Sequence, residues 1–324
     1  MPLFEQYQDQ LNKAINATQV RSFYAAYPEH PKAYGQESPA LGKEAFDLQV
    51  GKPFLGLLQT GTIATIGEEA SPYLNQSLGI DYPTAPIATY IDNASTALKT
   101  WRLTSLQERT GILMASLDRI AKRFHEIAHA TQHTTGQSYV MSFQASGPHA
   151  ADRALETIAM AYQEMSRFPA QTYWSKPMGS FSINLDKQYH AIPKGVGLVI
   201  GCSTFPTWNS VPGIYANLMA GNPVIVKPHP RAVLPIAIFI AEIQKVLQEQ
   251  GQDVNTIQLA ADSLTAPITK ALAEHSTVKL IDYTGSSSFG NYIESLNKQV
   301  FTEKSGINSV ILDSMHDLRN VMRN

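Results

Sequence analysis

The densest hydrophobic pattern in the chain runs from Gly195 to Pro230, where short apolar stretches alternate with polar turns and one stretch of helical spacing. Gly195 to Cys202 is a glycine-bounded run rich in Val, Ile and Leu, which predicts a strand buried on both faces. Ser203 to Asn209 is polar and predicts a turn. Val211 to Ala220 carries apolar residues at helical spacing and meets a stop at Gly221-Asn222. Pro223 to Val226 is a second apolar strand and delivers Lys227 at its carboxyl end. Such a strand-helix-strand unit sets Lys227 where open α/β sheets bind ligands, beyond the carboxyl ends of the strands.

The alternation continues downstream. Ala232 to Gln250 predicts a long helix closed by Gly251, Thr256 to Ala260 a strand, Thr265 to His275 a helix and Val278 to Tyr283 a strand. A Ser/Gly loop, Thr284 to Gly290, follows. Strands and helices in this order predict a parallel sheet covered by helices on both faces. Upstream the pattern is mostly helical, first over Phe4 to Ala17 and then from Ser95 to Phe168. Within that region Leu98 to Arg123 has apolar residues three and four apart, with Arg102, Arg109 and Arg119 on the polar side. Gly136 and the Ser-Gly-Pro at 146–148 punctuate it, and Asp152 to Met165 is a further helix. Residues 179–194 alternate as an extended arm, with Phe181, Ile183 and Leu185 on one side. The expected organisation is a mostly helical region at 1–178, an arm at 179–194 and a βαβ core at 195–324.

Composition narrows the classes. A hydrophobic content of 44% provides ample core, and a net charge of −2 gives no electrostatic footprint for nucleic acid or an anionic membrane. The one cysteine, Cys202, rules out an intramolecular disulfide and a cysteine-based metal cluster, which fits a reducing cytoplasm. The N-terminal stretch lacks the apolar core of a signal peptide, and no run reaches bilayer length. A soluble cytoplasmic protein is the expectation.

The turn Thr204-Phe205-Pro206, the Ala220-Gly221-Asn222 segment and Lys227-Pro228 resemble the cofactor-domain core of the aldehyde dehydrogenase superfamily, at that family's spacing. The stretches FPTWN and FYAAYPEHPKAYG resemble its phenylacetate-degradation (PaaN-type) branch more closely. The resemblance implies a Rossmann-like NAD(P)-binding sheet and oxidation of a small-molecule aldehyde from aromatic ring cleavage, with a CoA thioester as a further candidate substrate. It also implies that the arm belongs to an oligomerisation hairpin, hence a homo-oligomer. By the same resemblance Lys227 binds the adenosine ribose, Gly285 and Ser286 face the pyrophosphate at a helix N-terminus, and Phe205 and Pro206 belong to the cofactor site. Glu303 stands where the family has its general base, although Lys304 and Ser305 depart from the pattern that follows that Glu.

Two departures alter the expected chemistry. Thr204 replaces the Asn whose amide stabilises the oxyanion, and the gap-free spacing to Asn222 favours Thr204 over Asn209 for that role. Pro230 replaces an acidic residue that grips the ribose diol, and Arg231 follows it, which favours NADP over NAD. The family's catalytic Cys has no counterpart before Asn324. Cys202, at the end of the first cofactor strand with no neighbouring base, reads as a small buried hydrophobe. A truncated portion of a longer enzyme, inactive alone, is the expectation.

Two other readings compete. His125-Glu126-Ile127-Ala128-His129 is a formal HExxH with His133 one turn on, the arrangement of a zinc hydrolase, with Glu156 or Asp152 as the available further ligand. A non-catalytic nucleotide-binding module would need the βαβ core alone.

Overall fold

The computed structural model describes residues 1–306 and 309–322. Five parallel strands form its central sheet: β1 (Val196–Ile200), β2 (Val224–Lys227), β3 (Ile257–Leu259), β4 (Val278–Gly285) and β5 (Gln299–Lys304). Their spatial order is β5-β4-β1-β2-β3. β1 and β2 are buried at every position, so their sequences run apolar instead of alternating. From β1 the chain steps outward to β2 and β3, then returns to add β4 and β5 on the other side. The carboxyl ends of β1 and β4 therefore flank a topological switch point, where α/β sheets open a crevice.

Helices cover the sheet and extend into the N-terminal region. The ones used below are α1 (Leu3–Val20), α2 (Ile87–Trp101), α3 (Leu106–Ala121), α4 (Phe124–Thr135), α5 (Ala150–Met165), α6 (Pro206–Met219), α7 (Leu234–Glu249) and α8 (Ser287–Ser295). α6 lies over β1 and β4 and packs on α5. Trp101, Leu117, Phe124, Phe143 and Ile158 join the α6 and α7 side chains in one continuous core. Trp101 closes the contact by donating its indole N–H to the Leu218 carbonyl at 3.0 Å. α3 begins with a capping box, Ser105 and Glu108 each satisfying the other's backbone N–H.

Several expectations are corrected. The polar stretch Ser203 to Asn209 is not all turn, because α6 starts at Pro206, a residue well suited to a first helical position. Asn209 is thereby a helical residue. The helix expected over Thr265 to His275 spans only Thr269–Glu274, after Pro267. Arg109 is not on a polar face: it is 5% exposed. α1, α5, α6 and α7 all pack on α3, so its middle has no wet side. The guanidinium fits beside Gly221, whose φ is +82° and whose absent Cβ would otherwise lie 2.2 Å from Nη1. Burial lowers the Arg109 pKa.

Ser146-Gly147-Pro148 does not interrupt the helix either. Tyr139–Gln144, a π turn over Ala145–His149 and α5 form one continuous helical path. The arm is a two-stranded antiparallel hairpin whose first strand, Gln171–Met178, precedes the expected arm and pairs with Phe181–Gln188. Every residue of both strands is exposed. Among the described residues no helix is long and apolar enough to cross a membrane.

Candidate functional site

The carboxyl ends of the strands open into a cleft of about 490 Å³. Lys227, Asp262, His229, Pro230, Ser286 and Phe289 all line it. Lys227 ends β2 and is only 3% exposed. Its Nζ lies 2.6 Å from Oδ1 of Asp262 and also donates to the Pro228 carbonyl. The other Asp262 oxygen accepts the Ile268 N–H at 3.0 Å. Burial pulls the Lys227 pKa down, and the Asp262 charge opposes that pull. The result is a cation fixed in place at the floor of an open cleft.

Ser286 is the N-cap position of α8, and its side chain makes no capping bond. Its carbonyl accepts the Tyr283 hydroxyl at 2.9 Å. Gly285, just before it, lacks the side chain that would collide with Tyr283, since a Cβ there would lie 2.5 Å from the phenolic oxygen. The N–H groups of the first turn of α8 thus stand at the cleft wall, an arrangement that suits a phosphate. Pro230 is buried in the wall. Arg231 is exposed and is not among the residues lining the cleft.

A second group of polar side chains sits where α6 begins. Asn209 donates its amide N–H to Oε2 of Glu303 at 2.7 Å, and Thr284 Oγ1 donates to the same oxygen at 3.4 Å. Cys202 Sγ lies 3.6 Å from Asn209 Oδ1 and 3.5 Å from Thr204 Oγ1. Cys202 is half-buried and lines the cleft, which corrects its reading as a buried hydrophobe. Thr204 is exposed in the bend before α6, and its carbonyl accepts from the Gln137 side chain. Phe205 and Pro206 form the N-terminus of α6, half-buried and buried respectively.

Lys227 and Ser286 therefore share one cleft, while Glu303 is joined by Asn209 and not by Thr204. The gap-free spacing to Asn222 points to Thr204, whereas the contact that selects Asn209 forms only when β5 is brought beside α6. Sequence reasoning does not reach Asp262 and His229, which the fold brings into the cleft lining. The position of Asp262, shortly after the β3 strand, is the signal that could have found it, because such positions open on the ligand-binding edge of the sheet.

The histidine helix is committed elsewhere. Nδ1 of His125 meets the Tyr139 hydroxyl at 2.6 Å and Nε2 meets the Pro31 carbonyl at 3.2 Å. Glu126 is held by Arg123 in two bonds of 2.8 and 2.7 Å. His129 stacks on Phe46, and His133 bonds Ser71 at 2.7 Å. Asp152 accepts the Ala26 N–H at 2.8 Å. These partners leave the HExxH side chains serving the packing of α4, and the zinc-hydrolase reading has no geometric support.

Residues 81–324 match the model of the aldehyde dehydrogenase family. The chain is similar to 1-pyrroline-5-carboxylate dehydrogenase of Bacillus licheniformis, 26% identical over 243 residues that cover 70% of this chain and 43% of that protein. It is also similar to a benzaldehyde dehydrogenase of Bacillus subtilis, 24% identical over 78% of this chain and 50% of that one. Among solved structures it resembles an NAD-dependent aldehyde dehydrogenase from Burkholderia multivorans, with a TM-score of 0.90 and 41% identity, covering 95% of this chain and 56% of that one. The chain thus spans about half the length of the relatives it matches. With a parallel sheet whose switch point holds the Lys227 cleft, and a family match over most of its length, this chain belongs to the aldehyde dehydrogenase family.

Proposed function

We propose that the chain is the dinucleotide-binding portion of an NAD(P)-dependent aldehyde dehydrogenase. The observation that carries this reading is the cleft itself, in which a buried lysine and a helix N-terminus converge beyond the strand ends. The residues present fit the cofactor: Lys227 would hold ribose hydroxyls, the α8 N-terminus and Ser286 the pyrophosphate, and Phe289 and Pro230 offer apolar walls for a base. When bound, a nicotinamide dinucleotide supplies the hydride acceptor for aldehyde oxidation.

The chain's own residues do the rest of what this half contributes. Glu303 is an exposed carboxylate next to Thr284 of the cleft lining, oriented by Asn209 and Thr284, and can take a proton from a thiol or water brought against it. Asn209, one side chain away from both Cys202 and Glu303, fixes the direction in which that carboxylate points. The substrate reading is a ring-cleavage aldehyde of phenylacetate-type aromatic degradation, supported by the FPTWN stretch and the N-terminal segment FYAAYPEHPKAYG. Oxidation is assigned to a protein of the relatives' full length, and the 324-residue chain alone is expected to bind cofactor without turnover.

Calorimetric titration of the chain with NAD and NADP tests the reading. Binding of either, weakened at least tenfold in Lys227→Ala, is expected. No binding by a chain that melts cooperatively would sink it.

A further inference from the structure

Arg109 enters the interior without a counter-charge. Its Nε and Nη1 are buried and make no hydrogen bond among the described residues. Burial is the one cause of its lowered pKa, with no carboxylate nearby to oppose it. Glu108, the acid next to it on α3, is turned to the helix start, where its Oε2 accepts the Ser105 N–H at 3.0 Å. Charged side chains are almost never fully buried unless they are paired. Water can meet the free N–H donors, but it leaves the charge unbalanced.

Arg109 lines a pocket of about 420 Å³, a size that suits a small molecule. Arg102 and His190 also stand in its wall, and no Asp or Glu lines it. The first turn of α3 opens on the same space: Leu106 and Gln107 line it, and their backbone N–H groups precede the first intrahelical bond. The remaining wall is largely apolar. Met165, Phe168 and Tyr189 form it, with the two rings 5.3 Å apart. Arg109 stands beside Gly221, which leads from α6 into β2, so the pocket lies toward the amino ends of the strands. The Lys227 cleft opens at their carboxyl ends, and no residue lines both.

We propose that this pocket binds a small carboxylate carried on an apolar body. The carboxylate pairs with Arg109, whose planar fork can donate two parallel N–H bonds to its two oxygens. Arg102, exposed at the rim, is the second cation. The apolar body lies against Met165, Phe168 and Tyr189. Two arginines with no acid among the lining residues select an anion, and the apolar wall selects against a bare inorganic one. This assignment is separate from the dinucleotide reading and does not rest on it.

Calorimetric titration of the 324-residue chain with phenylacetate and with octanoate tests it, beside phenylacetamide and inorganic phosphate as controls. At least one carboxylate should bind, and the neutral amide and phosphate should each bind more weakly than it does. Arg109→Met, which keeps the bulk and removes the charge, should weaken that binding roughly tenfold or more, the weight of one charge-assisted hydrogen bond. Arg102→Gln, at an exposed position, should weaken it by a smaller factor. No heat from either carboxylate at millimolar concentration overturns the site. Phenylacetamide or phosphate binding as tightly as the better carboxylate overturns the ligand class. Unchanged affinity in Arg109→Met, or in Arg102→Gln should Arg109→Met not fold, overturns the assignment to this pocket.

Discussion

Lys227 and Asp262 stand 2.6 Å apart with side chains 4% and 1% exposed, a buried ion pair that ties the end of β2 to the turn beyond β3. Removing one partner of such a pair leaves the other charge buried without compensation. Asp262→Asn is expected to cost roughly 3–5 kcal/mol in urea unfolding, while the double change Lys227→Met with Asp262→Leu recovers most of the loss. A single variant within about 0.5 kcal/mol of wild type, the range of ordinary surface changes, would show that the pair is not desolvated as described.

The hairpin presents Trp174, Met178, Phe181, Ile183 and Leu185, all exposed, and its register sets Trp174 opposite Leu185 and Met178 opposite Phe181. These five side chains share one face of a ribbon that pairs with no other strand among the described residues. An exposed face this rich in large apolar side chains, with Lys176 among them opposite Ile183, marks an interaction surface. The chain is expected to self-associate with increasing concentration in light-scattering chromatography, and Phe181→Lys with Ile183→Lys to lower the mass toward that of one chain. A wild-type chain that stays monomeric throughout would contradict this.

Cofactor preference should be slight. Arg231 is exposed and outside the cleft lining, so a 2′-phosphate would meet it only at the rim, where screening leaves little energy. Arg231→Ala is expected to weaken NADP by less than about fivefold, the equivalent of roughly 1 kcal/mol, and leave NAD unchanged. A loss of a hundredfold or more for NADP would place Arg231 inside the site.

Acid should loosen the α4 region. Burial depresses the pKa of His129 to about 4, with the nearby His133 as the second cause, and burial also lowers His125 and His133. A histidine whose folded value lies below its unfolded value of about 6.5 leaves the folded state with fewer bound protons. Its contribution to stability is full above about 6.5 and is lost as pH falls toward 4. Asp282, whose pKa burial raises, acts in the opposite direction over part of that range, so the comparison needs a variant. His129→Gln should narrow the difference in melting temperature between pH 7 and pH 4.5. An unchanged difference would show that His129 does not titrate with unfolding.

The parallel core was legible because strands buried on both faces leave apolar runs that no other element explains. β5 was not, since an edge strand that alternates exposed and half-buried positions resembles a polar loop. Periodicity cannot place Arg109, because it shows where apolar residues cluster and not that other helices enclose the remaining side. Lys227 and Ser286 could be found from their places at strand and helix ends. The Asn209–Glu303 contact joins residues 94 positions apart, and the Gly213 space that admits Asp282 depends on how α6 crosses the sheet. Neither leaves a local trace in the sequence.

The π turn at Ala145–His149 has a mechanical consequence for the site. It adds a residue to one turn of the helix, and the Ser146 carbonyl there accepts Thr207 Oγ1 at 3.0 Å. Thr207 lies in the first turn of α6, two residues before Asn209. Deleting Gly147 would relax the turn to ordinary α geometry and rotate the preceding helix by about 100° relative to α5. The Ser146 anchor would swing away from Thr207, and the start of α6 would lose a peg. A one-residue shortening in the helical layer would thus act on the aim of Asn209 at Glu303 as a change of gear in a distant wheel acts on a pointer.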